Sequence, residues 1–410
     1  MRLSASDGGD ERFLRGARVA LGARQAEWLD LTVGHGLITS LARPSGQAGY
    51  AGARVVPLEE CLVVPGLVNA HDHLEFSLFP RLGAGPFRSA RQWAESIYRP
   101  AESPICEQLQ LDHRERLIWG GLKNLISGVT TVCHHNPYEP EAFERGFPVR
   151  VVSRFGWAHS LDFSDDVAER FAATPDGQPF LLHLGEATDE GGRREVFALD
   201  AMGALDRRTV LVHGVALGPE GLALAERRGA AVVWCPSSNL FTLGATVERA
   251  IFDHEIRIAL ATDSALTGEG DLLDELRVAH RLGLAGRERL YEMVTTEAAA
   301  VLRLDQGEGR VAEGSVADLT AFADREGSPC EVLTSEEPPE LLLVMVGGEV
   351  KLVAERFAGR LDPRLTSRLE RIRVAGRGVY LVDADVRGLA ASARGVLGPP
   401  IRLAGKVVEE

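Results

Sequence analysis

The sequence predicts an α/β protein, a (β/α)8 TIM-type barrel with allowance for one abbreviated unit, set between two stretches of short strands. Three observations predict it. Short apolar runs alternate with helix-spaced segments over much of the chain, the rhythm of strands joined by crossover helices in a parallel sheet. Several of these runs end in a histidine or an aspartate. Both chain ends lack that rhythm and read as brief strands between turns. The 410 residues suit two or three domains, although one α/β barrel can absorb about 250 residues alone. Hydrophobic residues at 45% and charged residues at 25% exclude a disordered, collagen-like or coiled-coil chain.

Residues 1–64 form the first segment. Short strands are expected at 13–21, 29–33 and 36–41, followed by a turn-rich loop at 44–52. The run Cys61-Leu62-Val63-Val64-Pro65-Gly66-Leu67-Val68-Asn69-Ala70 starts as a strand buried on both faces should, and leads into His71-Asp72-His73. Residues 65–304 form the barrel segment. Leu117, Ile118, Leu122, Leu125 and Ile126 recur at helical spacing, so a helix is expected over 109–126, stopped by Gly128. Strands follow at 129–133, 149–155, 180–184, 209–212, 230–234 and 257–261, with helices that include 221–228 and 272–282. The eighth strand is placed near 156–160, with the helix before it nearly deleted. Residues 305–355 return to short strands at 318–322, 341–346 and 349–353. Residues 356–410 form a C-terminal extension without an assigned role, with a helix expected at 363–372 and a strand at 379–382.

The 45 basic and 59 acidic side chains leave a net charge of −14. A nucleic-acid partner is therefore not expected, nor an anionic membrane surface. The balance fits a small-molecule substrate, and a homo-oligomer is compatible with it. No run of 18 apolar residues predicts a membrane span, and residues 1–7 lack the apolar core of a signal peptide. Five scattered cysteines, Cys61, Cys106, Cys133, Cys235 and Cys330, contain no CxxC pair and read as reduced thiols of a cytoplasmic protein.

The chemistry lies at the strand ends. Residues i and i+2 of a strand share a face, so His71 and His73 can hold one metal ion, or can be two solvated turn histidines. His183 ends the strand at 180–184 and is followed by Glu186, a ligand with a proton donor nearby, or else a core histidine. His213 ends the next strand. Asp263 follows the strand at 257–261, where an aspartate can also be no more than a cap. Four strands of one barrel ending in His or Asp carry more weight than any one of them, because barrel enzymes place their sites on the carboxyl face. Imidazole and carboxylate suit Zn²⁺ or Fe²⁺, with a position left for water.

The order HxH, HxxE, H, D resembles the amidohydrolase superfamily, and within it the mononuclear branch of adenosylhomocysteine, guanine and cytosine deaminases and triazine hydrolases. Pro65-Gly66-Leu67-Val68-Asn69-Ala70-His71, the stretch 295–304 (TTEAAAVLRL) and Gly314-Ser315-Val316-Ala317-Asp318-Leu319 support it, and the similarity covers most of residues 10–355. The resemblance implies a small β-sandwich domain built from residues 1–64 and 305–355. It implies one divalent metal, zinc or Fe(II), held by His71, His73, His183 and Asp263. Glu186 would shuttle protons, and His213 would polarise the attacked group or the water. Metal binding can lower the pKa of water from about 15.7 to about 7. Asp263 can take the water's proton and Glu186 can protonate a substrate nitrogen. The implied activity is hydrolysis of a non-peptide carbon–nitrogen bond through hydroxide on the metal, as in deamination of a cyclic amidine such as a purine or pterin.

Two features narrow this. Binuclear members bridge their metals with a carboxylated lysine at the fourth strand, and no lysine lies between Lys123 and Lys351. In Trp234-Cys235-Pro236-Ser237-Ser238-Asn239, Trp234 replaces the family's seventh-strand histidine, which makes it a stacking wall for substrate or a core aromatic. His135 contacts substrate or holds structure, and His159 matches a fourth-strand histidine that touches substrate. Glu75 lies near the site or is a loop charge, and Asp72 is structural. His35, His113, His254 and His280 read as surface or packing residues. Arg81, Arg88, Arg91 and Arg99 would suit an anionic substrate group over the pocket, or a solvated face. The alternatives are an amide hydrolase or hydrolytic dechlorinase with the same site, and a non-catalytic barrel subunit.

Overall fold

The structure, a computed structural model, describes residues 11–44 and 54–410. The segment read for a signal peptide and nearly all of the loop expected at 44–52 lie outside these residues. Five strands come first: β1 (Arg12–Ala20), β2 (Ala26–Gly34), β3 (Leu37–Ala42), β4 (Arg54–Pro57) and β5 (Cys61–Pro65). Then come β6 (Leu67–Asp72), β7 (Val129–His134), β8 (Arg150–Val151), β9 (Gly156–Ser160), β10 (Phe180–Leu184), β11 (Thr209–His213), β12 (Ala231–Trp234) and β13 (Ile258–Leu260). The last are β14 (Leu319–Ala323), β15 (Leu341–Val346), β16 (Glu349–Ala354), β17 (Glu370–Val374), β18 (Gly378–Val382), β19 (Ile401–Leu403) and β20 (Lys406–Glu409).

Strands β6 to β13 are parallel and alternate with helices over much of their length, so the protein is α/β. They form two sheets, β6-β7-β8 and β13-β12-β11-β10-β9. A bridge between Asp72 and Asp263 joins β6 to the end of β13, where the Asp263 N–H donates to the His71 carbonyl at 3.2 Å. Between β8 and β9 no ladder forms among the described residues, so the sheets are not closed by hydrogen bonds. Only residues 152–155 separate those two strands, and the helix there is missing. Strands β10, β11 and β12 are buried on both faces, which explains their largely apolar sequence.

The apolar run at 61–70 is two strands rather than one. Gly66 is the pivot: its N–H donates to the Asp318 carbonyl at 2.8 Å, and a Cβ there would lie 2.2 Å from Thr130 Oγ1. Upstream, β5 pairs with β14 in a large sheet; downstream, β6 pairs with β7 in the parallel layer.

Both chain ends enter one twelve-stranded sheet, ordered β19-β20-β17-β18-β16-β15-β14-β5-β1-β2-β3 with β4 beside β1. Residues 356–410 are therefore continuous with the strands before them. The helix expected at 363–372 is a single turn, Pro363–Thr366, followed by β17. Alternation decides this: Ile372 and Val374 are buried while Arg371 and Arg373 face out, a period-two pattern that pairs with β18. The same segment reaches the parallel layer. Arg377 donates to both carboxylate oxygens of Asp271 at 2.8 and 2.5 Å, Lys406 pairs with Asp274, and the Ala404 N–H donates to the Ser77 carbonyl at 2.7 Å.

The helix His113–Leu125 starts at Asp112, whose side chain accepts from the Glu115 N–H at 3.2 Å. It lies so close to the turn after β6 that a Cβ at Gly120 would meet the Leu74 carbonyl at 2.4 Å. Gly120→Ala is expected to destabilise the protein by about 1–3 kcal/mol through this overlap with rigid backbone. Denaturant midpoints check it; an unchanged midpoint would show that the helix can shift freely.

Candidate active site

Alternation along β6 sets the first side chains. His71 and His73 share one face, and Asp72 points the other way into a buried polar cluster. There it accepts from Lys123 Nζ at 2.8 Å, Asn124 Nδ2 at 2.8 Å and Asn69 Nδ2 at 3.2 Å. This cluster explains why a lysine can be buried here, since the ion pair is surrounded by further hydrogen bonds. His183 sits within β10, His213 ends β11 and Asp263 follows β13. His213 and Asp263 adopt left-handed backbone, with φ of 77° and 57°. Such conformations cost about 1–3 kcal/mol each and collect at functional sites.

The hydrogen bonds assign the histidine tautomers. His135 lies 3.0 Å from the Ala158 carbonyl through Nε2, so that nitrogen donates. Its Nδ1, 3.1 Å from His71 Nδ1, therefore accepts, and the His71 proton is on Nδ1. His183 donates from Nδ1 to the His159 carbonyl at 2.7 Å, and His213 from Nδ1 to Asn239 Oδ1 at 2.8 Å. All three are left with a bare Nε2. Those of His71 and His213 are buried without a hydrogen-bond partner, and that of His183 faces His73 Nε2 at 3.4 Å. Asp263 Oδ1 lies 3.4 Å from His71 Nε2 and 3.8 Å from His73 Nε2. The ligand atoms of His71, His183, His213 and Asp263 lie within 4.8 Å of one another, as do those of His71, His73, His135 and His183. Converging lone pairs beside a carboxylate, with no proton among them, are what a divalent cation satisfies. The residues fit such an ion, and the nitrogen and oxygen donors suit zinc or ferrous iron.

The electrostatics agree. Burial pushes the His71, His73 and His183 imidazoles below their usual range, and the neighbouring imidazoles push His73 and His183 further the same way. Burial would raise the Asp263 carboxyl, but the imidazoles of His71, His213 and His73 crowded around it outweigh this and hold it well below the carboxylate range. Its other oxygen, Oδ2, accepts from Ser238 Oγ at 2.6 Å and Thr267 Oγ1 at 3.2 Å. Burial raises Glu186 to about 7, against the pull of His213, whose Nε2 lies 3.4 Å from Glu186 Oε2.

Several supporting residues escape a strand-end reading. Ser237, Ser238 and Asn239 open the helix Pro236–Leu243 directly after β12. Ser238 holds Asp263, Asn239 holds His213, and Ser237 donates to the buried Glu275 through both its N–H and its hydroxyl. The run Pro-Ser-Ser-Asn, all small and polar beside an apolar strand, was their signal. Ser238→Ala is expected to weaken metal binding or turnover by about 10- to 100-fold, as loss of a group orienting a ligand does. Zinc titration and steady-state kinetics check it, and unaltered values for both would show that Asp263 does not depend on this contact.

A cavity of about 530 Å³ opens in front of these groups, lined in part by His73, His159, His183, Glu186, His213 and Asp263. His135 does not line it; it lies buried behind His71 and stacks on His183 at 4.4 Å. Trp234 does not line it either. Its ring is fully buried, its Nε1–H donates to Thr246 Oγ1 at 2.7 Å, and it packs edge-on to Phe252. It is a core aromatic because β12 turns that side chain outward, toward the surrounding helices. Glu75 is buried too, accepts from Asn136 Nδ2 at 2.6 Å, and is raised to about 7 by burial. Arg81, Arg88, Arg91 and Arg99 are not among the lining residues.

Comparisons with known proteins agree with this geometry. The profile of the Amidohydrolase family matches residues 151–351. A 5-methylthioadenosine/S-adenosylhomocysteine deaminase of Natronomonas pharaonis is 27% identical over 386 residues, covering 78% of this chain and 87% of its own. One from Pyrococcus furiosus is 25% identical, covering 72% and 82%. An adenosine deaminase from Xanthomonas campestris, solved with bound zinc, superposes with a TM-score of 0.71 at 20% identity, covering 94% of this chain and 97% of its own. A triazine hydrolase variant gives 0.72 at 18% identity, with coverage of 94% and 99%. Together with the buried ligand set, these matches define a hydrolytic enzyme of carbon–nitrogen bonds. The chain is thus similar to the Amidohydrolase family over residues 151–351 and to named deaminases over most of its length.

Proposed function

We propose that this enzyme releases ammonia from a cyclic amidine, a purine, pterin or related heterocycle. The observation that carries the proposal is the position of Glu186: a half-buried carboxyl that desolvation raises to about 7, beside a cluster of imidazole nitrogens and at the wall of the cavity. His71, His73, His183 and Asp263 would hold one divalent ion, with zinc favoured over Fe(II). Bound there, the ion supplies a nucleophile from water at neutral pH and polarises the attacked carbon. Asp263 accepts the water's proton through a carboxylate steadied by Ser238 and Thr267. Glu186 protonates the ring nitrogen and recovers the proton of the attacking hydroxyl, while the proton taken by Asp263 passes to the departing amine. His213 faces both acids through Nε2, at 3.4 Å from Glu186 and 4.0 Å from Asp263, and orients the attacked group.

The parallel strands are read as an eight-stranded barrel whose β8/β9 seam lacks ladder bonds, with residues 65–304 as its domain. The two chain ends supply a second domain. A twelve-stranded twisted sheet is long enough to curl on itself as a sandwich. Five free cysteines support a reducing, cytoplasmic setting. No helix of the described residues is long and apolar enough to cross a membrane.

The test is an ammonia-release screen of the zinc-loaded enzyme over purines, pterins, pyrimidines and aminotriazines. Ammonia from at least one ring class is expected. Chloride release or amide cleavage without ammonia would replace deamination by dechlorination or amide hydrolysis.

A further inference from the structure

The cavity has an outer wall that attack on a ring carbon does not use. Phe76, Trp93, Ile97, Phe163 and Leu266 line it, in contrast to the ionisable inner wall. Much of it comes from the helix Ala90–Ile97, inserted between β6 and β7. Ala90, Trp93, Ala94 and Ile97 fall at i, i+3, i+4 and i+7, and all four line the cavity. None of the helix is fully buried: Ala90, Trp93, Ala94 and Ile97 are half-buried, Trp93 packs against the small cluster of Phe79, Ile105 and Leu266, and the rest of the stripe meets the cavity rather than a core. The stripe is fixed in place. Trp93 Nε1–H donates to the Leu82 carbonyl at 2.8 Å, and the Ala90 N–H donates to the Glu186 carbonyl at 3.0 Å. The apolar wall and the proton carrier are thus joined through backbone.

The charges around this wall have one sign. Among the described lining residues the ionised side chains are acidic, with Glu95 at the outer wall, and no lysine or arginine is present. Of the nearby arginines, Arg88 is exposed and lies outside the lining, and the other three are engaged elsewhere. Arg81 donates to the Gly268 carbonyl and lies over Phe241, and Arg91 pairs with Glu95 and Asp162. Arg99 donates to the carbonyls of Glu95 and Tyr98. A carboxylate or phosphate carried into this space would lose water, meet like charge and find no cation.

We propose that the substrate is an uncharged heterocyclic amine whose distal substituent is apolar, a thioether or alkyl group seated on Trp93 and Ile97, and that anionic tails are rejected. This rests on the deaminase reading for the reacting ring and adds the specificity of the far end of the same site. Two compounds separate the alternatives: 5′-methylthioadenosine ends in an uncharged thioether, and 5′-(2-carboxyethylthio)-5′-deoxyadenosine carries a carboxylate, with no ammonium, on the same sulfur.

Calorimetric titration of the zinc-loaded Glu186→Gln protein with each compound tests the proposal without turnover. Methylthioadenosine is expected to bind at least about 100-fold more tightly, the scale set by an unpaired buried charge. Trp93→Ala on the same background is expected to remove about 10-fold of that preference. Equal affinities, tighter binding of the carboxyethylthio compound, or binding of neither overturns the proposal. Ammonia release by the unaltered enzyme reports separately on the reaction. The thioether preference without ammonia from any amine would leave this inference standing and remove the deaminase function; ammonia without the preference would do the reverse.

Discussion

Glu186→Gln is expected to keep one zinc per chain and its fold while losing about 10²- to 10⁴-fold of turnover, the range of a lost general acid–base group. The substitution preserves size and hydrogen-bonding capacity and removes only the titratable proton. Glu186 is not among the clustered candidate ligand atoms, so metal content should not move. Its neighbour on the site side is His213 Nε2, and its backbone is pinned by the Ala90 N–H, so the amide should occupy the same position. Metal analysis, circular dichroism and steady-state kinetics on one preparation check the three parts. Full turnover would move the proton-carrying role to another group. Loss of zinc together with activity would make Glu186 a ligand.

His183→Ala is expected to abolish tight zinc binding and to lower turnover by more than the ~10- to 100-fold that supporting residues cost. His183 sits at the centre of the cluster. Its Nε2 faces His73 Nε2 at 3.4 Å, and its ring stacks on both His135 and His213. Alanine removes one nitrogen lone pair and leaves the others with an incomplete shell. Dialysis of wild-type protein against a chelator should produce the same inactive state, and added zinc should restore only the wild type. Stoichiometric tight metal with unchanged turnover in His183→Ala would defeat the assignment of the site.

Much of this was legible in the sequence because strand ends concentrate the chemistry. His71, His73, His183, His213, Glu186 and Asp263 come together because parallel strands point their carboxyl ends the same way. The elements with clear periodicity were legible as well, such as the helix Leu272–Leu282 and strand β10. What was not legible has physical causes. The run at 61–70 is uniformly apolar, and the break at Gly66 depends on Thr130, far away in sequence. Residues 363–372 mix leucine and arginine at spacings that fit a helix, until pairing with β18 selects the strand. Trp234 stands in a motif position that suggested substrate, but the face it takes is set by the register of β12. Ser238 and Asn239 act through contacts 25 and 26 residues away in sequence, which no local pattern encodes.

The grip of Arg377 and Lys406 on Asp271 and Asp274 ties the last strands to the helix that follows the Asp263 loop. The family profile stops at residue 351. Protein trimmed there would leave Asp271, at the start of the helix that follows the Asp263 loop, without its counter-ions and Asp274 with Arg277 alone. Strands that lie past the region of recognisable kinship therefore brace the helix beside the Asp263 loop.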